Sequence, residues 1–221
     1  MHLTPELSIV VLISGNGSNL QSIIDAIEAG RIRAKISAVI SNNPDAYGLS
    51  RAKKHGIQSQ VIDHREHASR DQFDLALLDC IESHTPDYII LAGFMRILGS
   101  ALIQANPFKM LNIHPSLLPE YKGMNTHARA LQNRESEHGV SIHIVTAELD
   151  DGPVIMRGRY PVEPMDSVTD LQNKGHRLEH QMYPQVLQWL ADGSLRINSQ
   201  SIVFQGHKLI EPIEYLPRST S

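Results

Sequence analysis

Short apolar runs alternate with amphipathic stretches through the first half of the chain. Ser8–Ile13 (SIVVLI) is an unbroken apolar run of strand length, suited to a strand covered on both faces. Ser14–Asn19 (SGNGSN) breaks it with turn-forming residues. Leu20, Ile23, Ile24 and Ile27 then recur at helical spacing, and Gly30 is placed to close that helix. Strand, polar loop and helix in that order open a βαβ unit. The pattern repeats: Ile36–Ser41 reads as a strand and Asp45–His55 as a helix ending at Gly56. Ser69 and Gln72 have capping-box spacing ahead of Phe73, Ala76, Leu77, Cys80 and Ile81 on one helical face. Tyr88–Leu91 (YIIL) and Met110–His114 (MLNIH) predict two more buried strands.

The second half reads differently. Val140–Thr146 and Val154–Val162 predict strands joined by a tight turn at Asp150-Asp151-Gly152-Pro153. A long helix is expected from Val168 to Leu190, with Ser167 and Asp170 as cap residues and a kink at Pro184. From Ser194 the pattern allows two short strands and an irregular end. The expected fold is α/β, a doubly wound, mostly parallel Rossmann-like sheet with a mixed C-terminal half. No composition break divides it, so residues 1–221 are read as a single domain. Its 1–106 half would bind a nucleotide phosphate, and its 107–221 half would carry catalysis and folate binding.

Bulk properties narrow the class. At 221 residues, 41% hydrophobic and 20% charged, the chain has the make-up of a globular protein with a substantial core. A net charge of −4 argues against a nucleic acid as the main partner. The single cysteine, Cys80, excludes an intrachain disulfide and lies in an apolar helical pattern, so a buried structural thiol is expected. Met1–Glu6 lacks the basic-then-apolar pattern of a leader, and no apolar run approaches the roughly 20 residues that span a bilayer. The cytosol is the expected compartment, with no membrane partner.

Three features carry candidate chemistry. Gly15-Asn16-Gly17-Ser18-Asn19 lies between a strand and a helix, where glycines allow close approach and free amides attract an anion. It matches neither the G-x-G-x-x-G of dinucleotide folds nor the P-loop, which favours a monophosphate over NAD or ATP. The same segment would also serve as a plain strand-to-helix turn. Asn112 and His114 stand two apart in a predicted strand, on one face and about 6–7 Å apart along it. An amide beside an imidazole suits oxyanion stabilisation and proton transfer, though a hydrogen-bonded core pair has the same pattern. Asp150 sits in a turn signal where aspartate is common for local reasons alone. The 12 histidines form no H-E-x-x-H and have no cysteine partners, so no catalytic metal is expected. His64 and His67 lie in a polar stretch and are expected to be exposed.

At these residues the sequence resembles the folate-dependent formyltransferases, and within them the bacterial single-function glycinamide ribonucleotide formyltransferases. Five segments carry the likeness in the family's order: LISGNGSNL at 12–20, LAGFMRIL at 91–98, LNIHPSLLP at 111–119, ELDDGPVI at 148–155, and Glu179 with His180–Pro184. The resemblance implies transfer of the formyl group of 10-formyltetrahydrofolate, a co-substrate, to the amine of glycinamide ribonucleotide. It places the nucleotide on Gly17, Ser18 and Asn19 through its phosphate and on Glu179 through its sugar side. Met95, Arg96, Ile97 and Leu98 would line the pterin pocket, with Arg70 on the folate side and Phe94 and Ile103 as apolar walls. Asn112, His114 and Asp150 match the catalytic trio, Asn112 also facing the folate. In that arrangement the substrate amine attacks the formyl carbon, and Asn112 with a protonated His114 stabilises the developing oxyanion. A carboxylate beside an imidazole favours the imidazolium, and Asp150 could hold a water that relays the proton.

Two positions depart from the family pattern. Asp151 stands where many relatives have glycine, and Asn125 where a histidine is frequent. Within the family, a formyltetrahydrofolate deformylase would need an N-terminal module for which a first strand at Ser8 leaves no room. A methionyl-tRNA formyltransferase would need a C-terminal RNA-binding domain and a basic surface. A catalytically silent binding module would not need all three trio positions filled. A monomer and a homodimer both fit the sequence, and structural roles are expected for His127, His138 and His143.

Overall fold

The computed structural model describes residues 6–216. Met1–Pro5, most of the segment read for a leader, and the last residues of the irregular end, 217–221, lie outside it. The elements in chain order are β1 (Leu7–Ile13), α1 (Ser18–Glu28), β2 (Ala34–Ser41), α2 (Tyr47–Lys54), β3 (Ser59–Val61), a 3-10 turn (His64–Glu66), α3 (Arg70–Glu82), β4 (Tyr88–Leu91), α4 (Ser100–Ala105) and β5 (Met110–His114). They continue with α5 (Thr126–Gln132), β6 (Glu137–Ile144), β7 (Val154–Pro161), α6 (Val168–Ala191), β8 (Leu195–Ile197), β9 (Ile202–Phe204), β10 (His207–Lys208) and β11 (Ile213–Tyr215).

Eight strands form one sheet in the order β11-β7-β6-β5-β4-β1-β2-β3. β3, β2, β1, β4 and β5 run parallel, whereas β6 is antiparallel to both β5 and β7. This is the expected α/β doubly wound sheet with a mixed second half. Strand order reverses between β1 and β4, the place where such sheets leave a crevice beyond their carboxyl ends.

The unbroken apolar runs have a direct structural cause. Along β1, Ile9, Val11 and Ile13 enter one core layer while Val10 and Leu12 enter the other, as the two-residue period of a strand requires. Leu20, Ile23 and Ile24 of α1 and Leu178, Met182 and Val186 of α6 cover the first face. Phe73, Leu77 and Ile81 of α3 cover the second.

Several local readings need correction. The link between β6 and β7 spans 145–153 and is a loop, not a tight turn, because β6 stops at Ile144. The tail holds four short strands: β8, β9 and β10 make a small antiparallel sheet, and β11 extends the main sheet beside β7. α6 runs unbroken through Pro184, whose neighbours Met182, Tyr183, Val186 and Leu187 are all buried against the sheet. Packing along that face holds the helix together despite the missing N–H. Its start carries the expected capping box of Ser167 and Asp170. At α3, Ser69 accepts from the Gln72 amide, but the Gln72 side chain reaches back to Ala68 instead of Ser69. Cys80 is half-buried, and burial raises its thiol above the ordinary range. His64 and His67 are half-buried as well, each edge-on to Phe73.

Candidate functional site

The loops after β1, β4 and β5 share the carboxyl edge of the parallel strands, and the candidate residues cluster there. After β1, Gly17 adopts φ +73° and lets α1 begin close against α2. A Cβ on Gly17 would stand 2.7 Å from the Gly48 Cα, so the contact admits glycine alone. Arg51 of α2 holds the loop from outside, its Nε donating to the Asn16 carbonyl at 2.9 Å and Nη2 to Asn16 Oδ1 at 3.0 Å. No side chain caps the start of α1, so its leading amides have no side-chain capping partner there.

Asn19 and Glu179, 160 positions apart, meet in the interior, where Asn19 Nδ2 donates to Glu179 Oε2 at 2.7 Å. Burial pushes the Glu179 carboxyl above its usual range, and the Asn19 hydrogen bond opposes this. Asn19 Oδ1 is buried without a partner. Both side chains therefore keep acceptor capacity for an incoming hydroxyl or amine.

The strand β5 projects Asn112 and His114 from one face, as their spacing requires. The loop 145–153 brings Asp150 back to them: its Oδ2 lies 3.4 Å from His114 Nδ1 and accepts from the Gly123 amide at 3.0 Å. Asp150 takes φ +50°, in the left-handed region. Beyond it, a Cβ on Gly152 would sit 1.9 Å from the Ile144 carbonyl oxygen, so the loop must close on glycine. On the other ring nitrogen, His114 Nε2 lies 3.0 Å from the Tyr121 carbonyl. A carbonyl only accepts, so Nε2 carries the proton and Nδ1 faces the carboxylate.

His143 belongs to this group, although its residue type alone suggested a structural role. It stands opposite Asn112 across the β5–β6 ladder. Nδ1 donates to the Ile144 carbonyl at 3.0 Å, and burial lowers the ring's pKa, which keeps it neutral. Nε2 is then an acceptor and receives the Asn112 Nδ2–H at 3.1 Å. The amide therefore turns its N–H groups, not its oxygen, toward this face. The signal that identifies it is the cross-strand register with Asn112, which the sequence does not show.

Next to these, Met95–Leu98 follow β4. Met95 and Ile97 are 75% and 59% exposed, while Phe94 and Leu98 are buried in the second core layer. The Met95 amide donates to Ser14 Oγ at 2.7 Å, which ties this segment to the end of β1. Ile103 packs at the edge of the same layer. The Arg96 guanidinium lies 5.7 Å from the centre of the Phe73 ring, and Arg70 is exposed at the start of α3. Tyr183, fully buried, places its hydroxyl 3.0 Å from the Leu91 carbonyl and 2.9 Å from that of Leu111, so α6 buttresses both site-bearing strands.

The two departures have structural explanations. Asp151 is exposed and pairs with Lys122. Asn125 stands at the N-cap position of α5 without a side-chain capping bond, at φ +57°, a conformation asparagine tolerates better than most residues. His127 and His138 stack edge to face at 5.1 Å, and burial brings each down to about 4. Among the described residues, no group of three or more His, Cys, Asp or Glu side chains is placed to hold a metal ion.

A family described as formyl transferase matches residues 7–187. The chain belongs to that family. This formyltransferase is 46% identical over 203 residues to the phosphoribosylglycinamide formyltransferase of Escherichia coli (strain K12), covering 92% of this chain and 96% of that one. It is 42% identical over 201 residues to the Haemophilus influenzae protein of the same name, covering 91% and 95%. Among solved structures, the Coxiella burnetii phosphoribosylglycinamide formyltransferase superposes with a TM-score of 0.91 at 47% identity, covering 96% of this chain and all of that one. The formyltransferase fold is thus shared along nearly the full length. Among the described residues, no helix is long and apolar enough to cross a membrane.

Proposed function

We propose that this formyltransferase moves the formyl group of 10-formyltetrahydrofolate to the amine of glycinamide ribonucleotide. The products are N-formylglycinamide ribonucleotide and tetrahydrofolate, in cytosolic de novo purine synthesis. The observation that carries the reading is the convergence of Asn112, His114 and Asp150 on one face beside the switch-point crevice. Full-length relatives bearing that name support the choice of substrate.

In this reading the amides from Gly17 to Asn19 take the nucleotide's phosphate, and Glu179 accepts from its sugar or amine side. The folate lies along Met95, Arg96, Ile97 and Leu98, with Arg70 toward its anionic end. Folate contacts then come from both halves, Arg70 and Met95–Leu98 from 1–106 and Asn112 from 107–221, with catalysis in the second. β4 and β5 pair across that divide, so one functional domain fits better than two separate ones.

The neutral amine's lone pair attacks the formyl carbon, and negative charge gathers on the formyl oxygen. Asn112 offers an N–H held in place by His143. His114, whose Nε2–H is held by the Tyr121 carbonyl, turns Nδ1 to Asp150, and a proton shared between those two would bring positive charge toward the oxygen. The C–N bond to the folate then breaks, and the proton lost by the amine passes by way of Asp150 or a water it holds to the leaving nitrogen. Positioning and charge complementarity supply this catalysis without a covalent enzyme intermediate.

An absorbance assay for tetrahydrofolate, run with and without glycinamide ribonucleotide, tests the reading. Product should form only with the nucleotide present. Release of formate without it would point to a hydrolase, and formylation of charged tRNA to a different acceptor.

A further inference from the structure

The segment between β4 and α4 is pinned at both ends. At its start, the Met95 amide donates to Ser14 Oγ, and Ser14 in turn donates to Asn42 Oδ1 at 2.5 Å. At its end, the Gly99 amide donates to Asp74 Oδ2 at 2.8 Å. A Cβ on Gly99 would lie 2.4 Å from that oxygen and would push the carboxylate aside. Within the segment Met95 and Ile97 are exposed.

Asp74 belongs to α3 and is 4% exposed. One turn earlier on that helix, Arg70 Nε stands 3.7 Å from the same Oδ2. The Arg96 charge also bears on this carboxyl, as does Asp71 with opposite sign, while burial raises the carboxyl above its ordinary range. Oδ1 is buried with no partner. A neutral asparagine or an apolar side chain would join helix to loop at lower desolvation cost. Its negative charge faces the Gly99 amide at the start of α4 and the Arg70 guanidinium, whose side chain is about half exposed.

We propose that Asp74 is a positioning residue for the folate side, one carboxylate fixing both the end of the Met95–Leu98 segment and the direction of Arg70. The proposal rests on the reading of those residues as folate contacts. Two recognition elements from separate parts of the chain then present one surface.

The test compares kcat, both KM values and Tm for Asp74→Asn, Asp74→Ala and Arg70→Ala. Asp74→Asn keeps an oxygen for the Gly99 amide and removes the charge. It should raise the KM for 10-formyltetrahydrofolate about tenfold and leave that for the nucleotide within about twofold. Asp74→Ala should do more, and adding Asp74→Asn to Arg70→Ala should change the folate KM little further. A lower Tm with an unchanged folate KM in Asp74→Asn, or equal rises in both KM values, would overturn the proposal alone. An unchanged folate KM in Arg70→Ala would overturn the folate reading and the proposal with it.

Discussion

Asn112 Nδ2 donates to His143 Nε2 at 3.1 Å across the β5–β6 ladder, and this bond decides which way the amide faces. Without it Asn112 could turn its oxygen toward the formyl oxygen and repel the charge it should stabilise. His143→Phe keeps a ring in the strand and removes the acceptor. It should lower kcat by about 10- to 100-fold with both KM values little changed, in steady-state kinetics. Normal kcat would show that Asn112 needs no such support.

The Lys122–Asp151 pair lies across the loops that meet at the trio. Tyr121, Lys122 and Gly123 touch His114, Asp151 and Asp150 in turn, so the pair closes a three-point contact. Both partners are partly solvated, which limits the contribution to about 0–1 kcal/mol. Asp151→Asn and Lys122→Met should each slow turnover by no more than about fivefold, and the double variant by no more than either. High salt should slow the unmodified protein similarly and the variants hardly at all.

His127 and His138 make the fold acid-sensitive. Their folded values of about 4 lie below the ordinary 6.5 because burial disfavours the charged rings. Between these values the unfolded chain binds more protons, so this contribution is whole above pH 6.5 and is lost as pH falls toward 4. Urea unfolding at pH 7 and 5 should show a loss on the order of 1–3 kcal/mol. In His138→Leu that loss should shrink, whatever the variant's stability at pH 7. An unchanged slope would assign the acid sensitivity elsewhere.

Gly17→Ala should raise the nucleotide KM and cost about 1–3 kcal/mol of stability, since the methyl group meets Gly48 in a backbone conformation alanine resists. Denaturant titration and initial rates check both parts together. A variant indistinguishable from the parent would remove the argument for a tight loop.

The parallel half of the fold is legible where a strand is apolar on both faces, as β1 and β4 are, or a helix has an apolar stripe, as α1 and α3 do. β3 (SQV) and the short α4 carry no such pattern and are not predicted. Tyr88–Leu91 and Met110–His114 coincide with β4 and β5 to the residue. The second half was less legible, since β6 meets β5 and β7 through long-range antiparallel pairing that no local pattern specifies. Hence residue type alone does not single out His143, and local pattern does not distinguish the 145–153 loop from a tight turn. Pro184 misled for the opposite reason: the local rule is sound, but the buried side of α6 outweighs it. Asn112 and His114 could be paired by their two-residue spacing alone. Asp150 could be joined to them only through the family resemblance, and Asp74 shows its position only through the Gly99 contact.

In the proposed mechanism Asp150 works through His114. This is tested by kcat for His114→Ala, Asp150→Asn and the two combined, with Tm recorded for each. Each single variant should lose about 100-fold or more while remaining folded, and the combination should be little worse than the poorer single variant. Near-normal turnover in either single variant, or losses that multiply in the double, would contradict it.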